Sequence, residues 1–294
     1  MSDGPHDAVH FEGAIVTTLS QISMPELPEV ETTKRGIAPF LESAQIRRLV
    51  VRNPALRWPI PSELPQKVVG KMVESVDRRG KYLLLRVAGG SMLVHLGMSG
   101  SLRVLQDSVA PTAHDHFDLE TRSGDVLRYR DPRRFGCLLW QDGDPMTHPL
   151  LRNLGVEPLS SDFDGELLWR LGHDRRTAIK NIIMNGQIVV GVGNIYASEA
   201  LHGAGIHPQR SGRRISRARY QNLADAIRAV LERAIAEGGT TLRDFTSADG
   251  NPVYFHQSLK VYDRQGASCG RCGSDIRKIV TGQRATYYCP GCQR

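Results

Sequence analysis

The chain has 294 residues, a formal net charge of +7 and a pI near 9.3, long enough for two domains with separate cores. No run approaches the roughly 18 apolar residues that a bilayer-spanning helix needs, which excludes a helical membrane protein. The basic balance favours an acidic partner, most simply nucleic acid.

Residues 1–23 mix Asp3, His6, Asp7, His10 and Glu12 with one apolar patch, AIVTTL. They have neither a basic leader nor a cleavage box and do not read as a signal peptide. The stretch that follows, MPELPEVE at 24–31, has two readings. Either Pro25 or Pro28 opens a helix whose N-terminal dipole is complemented by Glu26, Glu29 and Glu31, or Met24 is the functional start and its removal exposes the secondary amine of Pro25 as a nucleophile.

Between 44 and 140 the segments IRRLVVRN, VVGKMVESVD, KYLLLRV, SMLVHLGM, FDLETRS, VLRYRD and CLLW read as successive strands, broken by the turns AGGS and RSGD. That pattern predicts an antiparallel sandwich or barrel. Cys137, in FGCLLW, is expected as a buried strand thiol. In HDHF the two histidines suggest a metal pair, but His114 and His116 are expected on opposite faces of a strand.

Residues 153–166, NLGVEPLSSDFDGE, are polar and turn-rich and form the natural linker. Beyond it the period becomes helical. RRTAIKNIIMNG and NIYASEALHGAG predict two helices joined by QIVVGVG, whose glycines at 191 and 193 lack the third glycine of a dinucleotide fingerprint. The turn is expected to bring backbone amides and Asn194 up to a phosphate. In SRARYQNLADAIRAVLERAIAEGG, Leu223, Ile227, Val230, Leu231, Ala234 and Ile235 make one apolar face, with Ser216 as N-cap and Gly238 as stop.

Four of the five cysteines lie in the last 26 residues as Cys269-x-x-Cys272 and Cys289-x-x-Cys292. Each C-x-x-C turn presents two thiolates at the angle tetrahedral zinc requires, so one structural zinc ion is expected. Disulfides would call for a secreted protein, and a redox pair would not need doubling. Residues 259–294 carry seven Lys or Arg against two Asp; even after four thiolates and a zinc subtract about two charges, the tail stays basic.

Several motifs now stand in one order: PELPEVE at 25, RRGKYLLL at 78, HLGMSG at 95, HDHFDL at 114, DPRRFG at 131, VVGVGNIYASEAL at 189, GGTTLRDF at 238 and QRATYYCPGCQ at 283. Together they resemble the formamidopyrimidine-DNA glycosylase family, bacterial repair enzymes for oxidised purines, in register from Met24 to the C-terminus. The resemblance implies an α+β multidomain chain: an N-terminal antiparallel β-sandwich at 24–152, a linker at 153–166, a helix-two-turn-helix domain at 167–258 and a four-cysteine zinc-finger β-hairpin at 259–294. Residues 1–23 fall outside it and are expected to be absent from the mature enzyme.

The implied activity is base-excision repair by a bifunctional DNA glycosylase and AP lyase, a cytoplasmic, nucleoid-associated monomer acting on damaged double-stranded DNA. An amine attacking the sugar C1′ displaces the base and leaves a Schiff base, which activates the sugar for elimination. The resemblance assigns that amine to Pro25; an α-amino group titrates near 8, below a lysine, and so is more often neutral. Glu26 is implied as the acid and base partner, Lys81 as the lysine beside the scissile phosphate for β-elimination, and Arg284 as the hairpin arginine for δ-elimination.

Extruding a base leaves a hole that must be wedged. The resemblance assigns this to Met98, Arg133 and Phe135, although residue type alone reads Met98 and Phe135 as core. His114, Arg175 and Asn194 match phosphate contacts, and Lys180 a position associated with reading the oxidised purine. Residues 246–258 resemble a loop closing over the everted base, with Val253 in place of the usual glycine. The sister enzyme endonuclease VIII, which prefers oxidised pyrimidines, usually begins PEGPE, so Leu27 and the Met98, Arg133, Phe135 set argue against it. A zinc DNA-binding protein without catalysis is the reading that follows if residues 1–23 stay attached.

Overall fold

The computed structural model describes residues 25–105, 109–238 and 259–294. The extension, Met24 and the expected capping loop with Val253 lie outside the described residues.

Helix α1, Leu27–Leu41, starts on Pro28 and on Glu29, whose carboxylate reaches back to the Glu26 N–H at 2.8 Å, as the first reading of PELPEVE predicts. The helix serves two cores. Val30, Ile37 and Leu41 pack into the strand-rich half, whereas Leu27, one turn earlier, packs among the helices that follow. The first residues of the helix therefore lie where the two halves meet.

Eight strands form the first half: β1 (Ile46–Val51), β2 (Val73–Arg79), β3 (Tyr82–Val87), β4 (Gly90–His95), β5 (Ser101–Leu105), β6 (Asp115–Thr121), β7 (Val126–Arg130) and β8 (Cys137–Asp142). They make two four-stranded antiparallel sheets, ordered β1-β6-β7-β5 and β2-β3-β4-β8. Leu83 and Leu85 face the shared core with Phe117, Leu119 and Leu127, while Leu84 and Leu93 face the opposite side under Leu151. Burial on both faces explains why KYLLLRV reads as an unbroken apolar run rather than an alternation. This is the expected sandwich, with Cys137 fully buried and its thiol pushed up to about 12 by burial.

Two strand expectations need correction. The first half of VVGKMVESVD ends a short helix, α2 (Leu64–Val68), because Pro65 stands in its first turn and Gly70, at φ +82°, then turns the chain. Strand β5, which the sequence pattern does not mark, follows the HLGMSG turn. The two histidines do not part by strand alternation, since positions two apart on a strand share a face. His114 and His116 separate because His114 precedes β6 and the register shifts between Asp115 and Phe117; His116 is buried on the Asp131 carbonyl at 2.7 Å and His114 is exposed.

The second half contains α3 (Gly165–Gly172), α4 (Ile179–Ile183), α5 (Asn194–Gly203) and α6 (Arg217–Glu237). Ser216 caps α6 through the Arg219 N–H and Gly238 closes it, as the pattern predicts. Residues between Leu151 and α3 are strapped down: the Glu157 carboxylate takes bonds from Arg78, Arg79 and the Gly80 N–H at 2.6–2.9 Å. Arg78 also binds Glu31 of α1 at 2.8 Å. The last element is a hairpin, β9 (Arg277–Thr281) and β10 (Arg284–Tyr288), closed by Gly282 and Gln283 at φ +57° and +60°. Both positions are left-handed, the geometry of the tight turn that suits a twisted two-stranded ribbon.

Candidate active site

Pro25 is buried at the junction of the halves, and Glu26 beside it is 1% exposed. The Glu26 carboxylate accepts the Gly193 N–H at 2.8 Å, the Ile195 N–H at 2.9 Å and the Tyr196 N–H at 3.4 Å. These are the free donors at the start of α5, and a carboxylate there is held by hydrogen bonds and by the helix dipole together. The QIVVGVG turn thus offers its amides to Glu26, where a phosphate was expected. Its glycines follow from this arrangement: a Cβ on Gly193 would lie 2.2 Å from the Glu26 Cδ, and Gly191, at φ +81°, lies against Leu27.

Lys81 occupies the two-residue turn between β2 and β3, not a strand, after Gly80 at φ +58°. The Glu157 bond to the Gly80 N–H and the Arg78 bond to the Gly80 carbonyl, at 2.6 and 2.9 Å, fix that turn. Burial lowers the Lys81 pKa, Glu26 and Glu29 oppose the shift by attraction, and Arg284 adds to it by repulsion. Burial raises the Glu26 pKa, Lys81 lowers it, Glu29 raises it and the amide bonds from Ile195 and Tyr196 lower it; the net direction is upward. An acid and an amine whose pKa values are pushed towards each other are the pair that proton transfer near neutrality requires.

Arg284 begins β10 and is exposed at the hairpin tip, where Gly282 abuts Asn181 of α4. Lys180, matched to a position associated with reading the oxidised purine, is enclosed by protein. It is 0% exposed, its ammonium bonded to the Asn194 Oδ1 and Thr286 Oγ1 at 2.6 Å each, with burial pulling its pKa to about 8. Asn194 completes the knot by donating to the Ala285 carbonyl at 3.0 Å. Lys180 and Asn194 thus tie α4, α5 and β10 together behind Glu26, with Lys180 facing inward.

Met98, Arg133 and Phe135 lie on two adjoining turns of the sandwich. Phe135 is 43% exposed under the Arg133 guanidinium at 4.9 Å, and Met98 is half-buried, so neither apolar side chain is core. The residue that holds these turns, Asp131, carries no signal of that role in the sequence. Fully buried, it accepts Ser99 Oγ at 2.5 Å and the Gly136 N–H at 2.9 Å, while Ser99 accepts the Arg133 N–H at 3.1 Å. The exposed His114 adjoins this loop through its carbonyl, 3.0 Å from the Asp131 N–H. Arg175 is exposed on the helical half, its Nε on the Leu171 carbonyl at 2.7 Å.

The Sγ atoms of Cys269, Cys272, Cys289 and Cys292 lie within 4.8 Å of one another. Tetrahedral zinc at a Zn–S distance of about 2.3 Å sets thiolates roughly 3.8 Å apart, and the Cys269–Cys292 separation is 3.8 Å. Four sulfurs and no oxygen donors make the chemistry of a structural zinc ion. The cluster is fastened to the helices by Gln293, which accepts the Cys289 N–H at 2.7 Å and donates to the Ile206 carbonyl at 2.9 Å. Glu199 of α5, also unmarked in the sequence, accepts the N–H groups of Lys260, Val261 and Tyr262 at 2.9 Å and anchors the entry to the finger.

A β-sandwich, a helical domain and a metal-stapled basic hairpin converging on a buried acid and a half-buried amine define a multidomain protein that works on nucleic acid. Family models match across the chain: the formamidopyrimidine-DNA glycosylase N-terminal domain at 24–138, its H2TH domain at 154–246 and a zinc finger found in FPG and IleRS at 268–294. The chain is 56% identical to the formamidopyrimidine-DNA glycosylase of Alkalilimnicola ehrlichii and 54% to that of Ectopseudomonas mendocina, each over 92% of this chain and 100% of the relative. Its fold is similar to Lactococcus lactis Fpg bound non-covalently to DNA containing an AP site, with TM-score 0.81 and 30% identity over 92% of this chain and 99% of that one. A complex between the same enzyme and Fapy-dG DNA gives TM-score 0.82 at 30% identity, over 92% of this chain and 100% of the other. The chain belongs to the formamidopyrimidine-DNA glycosylase family.

Proposed function

We propose that the chain starting at Pro25 carries out both steps of repair: excision of 8-oxoguanine and formamidopyrimidines from duplex DNA, then strand cleavage by β,δ-elimination. The DNA-formamidopyrimidine glycosylase activity follows from membership of the family; the residue roles are the proposal. The observation that carries them is the seating of Glu26 on the amides that start α5, because it pins the adjoining Pro25 where Lys81 and Arg284 converge.

The neutral Pro25 amine attacks C1′, the bond to the base breaks and the proton of the amine passes to the departing base; Glu26 then gives its proton to the ring oxygen as the C1′–O4′ bond opens, leaving an iminium at C1′. The resulting iminium acidifies C2′. Loss of a C2′ proton expels the 3′ phosphate, and a second elimination expels the 5′ phosphate, with Lys81 and Arg284 steadying the departing phosphates. Met98, Arg133 and Phe135 fill the emptied stack, and His114 and Arg175 hold the backbone. Asn194 and Lys180 serve by fixing the hairpin against α4 and α5. The zinc ion holds the hairpin in shape, and the enzyme works as a monomer in the bacterial cytoplasm, on nucleoid DNA.

Borohydride trapping tests the nucleophile. The chain beginning at Pro25 should become covalently linked to an 8-oxoguanine duplex, whereas the chain with residues 1–24 attached has only an amide nitrogen there and should bind without an adduct. Equal trapping of both would remove Pro25 from the role and make Lys81 the candidate.

A further inference from the structure

Beside the hairpin, the loop between α5 and α6 borders a groove of about 480 Å³ lined by His207, Gln209, Arg210, Ser211, Arg214 and Arg294. Residues 207–219 hold five arginines and no acid. Arg217 is paired with Glu166, and Arg219 is bonded to the carbonyls of Gly205 and Arg294. Arg210 and Arg214 form no ion pair among the described residues. Like charges gathered around a concavity repel one another, and a bound anion relieves that repulsion.

The groove is built on backbone. Ile179 N–H binds the Arg210 carbonyl at 2.8 Å, Lys180 N–H the Pro208 carbonyl at 3.2 Å, and Gln209 reaches the Val280 carbonyl of β9 at 3.3 Å. His207 packs edge-on against Tyr288 of β10 at 4.6 Å. Ser211 touches the expected phosphate contact directly, its hydroxyl donating to the Arg175 carbonyl at 3.1 Å. The groove is therefore continuous with the basic surface at Arg175 and fixed to the hairpin that carries Arg284.

We propose that this groove is a second phosphodiester site, which grips duplex DNA outside the lesion cleft through Arg210 and Arg214. The inference rests on the reading of the protein as a duplex-DNA enzyme. A site of this kind adds affinity without sequence preference, because phosphate contacts position the duplex and do not read bases. It also lengthens the footprint beyond what the catalytic cluster spans.

The test uses the chain starting at Pro25 and duplexes carrying a reduced abasic-site analogue, which is bound without being cut. One duplex just fills the lesion cleft; the others are lengthened on one flank or the other. Lengthening on one flank should tighten binding and steepen the salt dependence. Arg210→Gln with Arg214→Gln should abolish that gain and flatten the slope of log affinity against log salt by about 2, roughly 0.9 for each phosphate no longer neutralised. Binding to the short duplex and zinc content should stay at the parent level, which excludes misfolding. A double variant with the parent's slope on every duplex overturns the proposal, as does a loss of poly-glutamate binding without any change on DNA, which would make the groove a site for acidic protein. Failure of the parent to bind even the short duplex would instead overturn the catalytic reading itself.

Discussion

At the scale of single residues the decisive pair is Glu26 and Lys81. Burial raises the Glu26 pKa above its ordinary 4.5, and the charge of Lys81 restrains the rise. An acid that must donate a proton loses activity as pH rises through its pKa, so the alkaline limb of single-turnover base excision assigned to Glu26 should lie above 4.5. Lys81→Gln removes the restraining charge and should move that limb further up, whatever it does to elimination. A limb that stays in place in the Lys81 variant would show that the two groups are not coupled. The same signs govern stability: a carboxyl with a raised folded-state pKa stabilises the fold below its unfolded pKa, and this is lost as pH rises to the folded value. The roles proposed for Pro25, Glu26 and Lys81 rest on motifs that stand in order in the chain, and the meeting of Glu26 with Lys81 agrees with them. Asp131, Glu157 and Glu199 were not legible in the sequence, because a carboxylate in a polar segment looks solvated until its backbone partners arrive from distant segments.

At the scale of elements, the α4–α5 turn and the zinc hairpin carry the site. Gly193→Ala removes no chemistry-bearing group, but its Cβ would fall 2.2 Å from the Glu26 Cδ. It should cut excision by at least about a hundredfold through displacement of Glu26, the scale of loss that misplacing a reacting group by about 1 Å produces. Zinc content should remain unchanged; near-normal excision rates would mean that Glu26 need not sit on the α5 amides. Cys289→Ser should release the zinc and disorder the hairpin with Arg284. DNA binding and cleavage should then be lost while the sandwich keeps its thermal transition, and a zinc-free variant that still cuts would refute the dependence on the finger.

At the scale of the whole molecule, the halves are joined by α1, whose Leu27 and Val30 belong to different cores, and by Arg78 between Glu31 and Glu157. Burial pushes the Glu31 carboxyl up, but hydrogen bonds from Arg78 and Arg35 outweigh it and hold the pKa below 4.5. Its stabilisation is therefore complete above pH 4.5 and fades as pH falls through the lower folded value. Arg78→Gln leaves both carboxylates short of a charged donor and should cost about 2 kcal/mol in urea unfolding near neutrality. Part of that loss should vanish as pH falls below 4.5 through the lowered folded-state pKa of Glu31, whose protonated carboxyl no longer needs the guanidinium. A pH-independent loss would assign Arg78 to packing alone.

The sequence by itself determined the strand-rich and helical halves, the caps of α6 and the four-cysteine ribbon, because each is written in local period, capping residues or spacing. The tertiary structure decided the rest. It turned the amides of the GVG segment towards Glu26 rather than a phosphate, buried Lys180 among Asn194 and Thr286, and set Lys81 in a hairpin turn. It also left Phe135 in solvent, where an aromatic side chain by type belongs in the core. The first two depend on partners from α1, α5 and β10, the Lys81 turn on Glu157 and the Phe135 turn on Asp131 and Ser99; these partners are far apart in the chain, and only tertiary packing brings them within hydrogen-bonding distance.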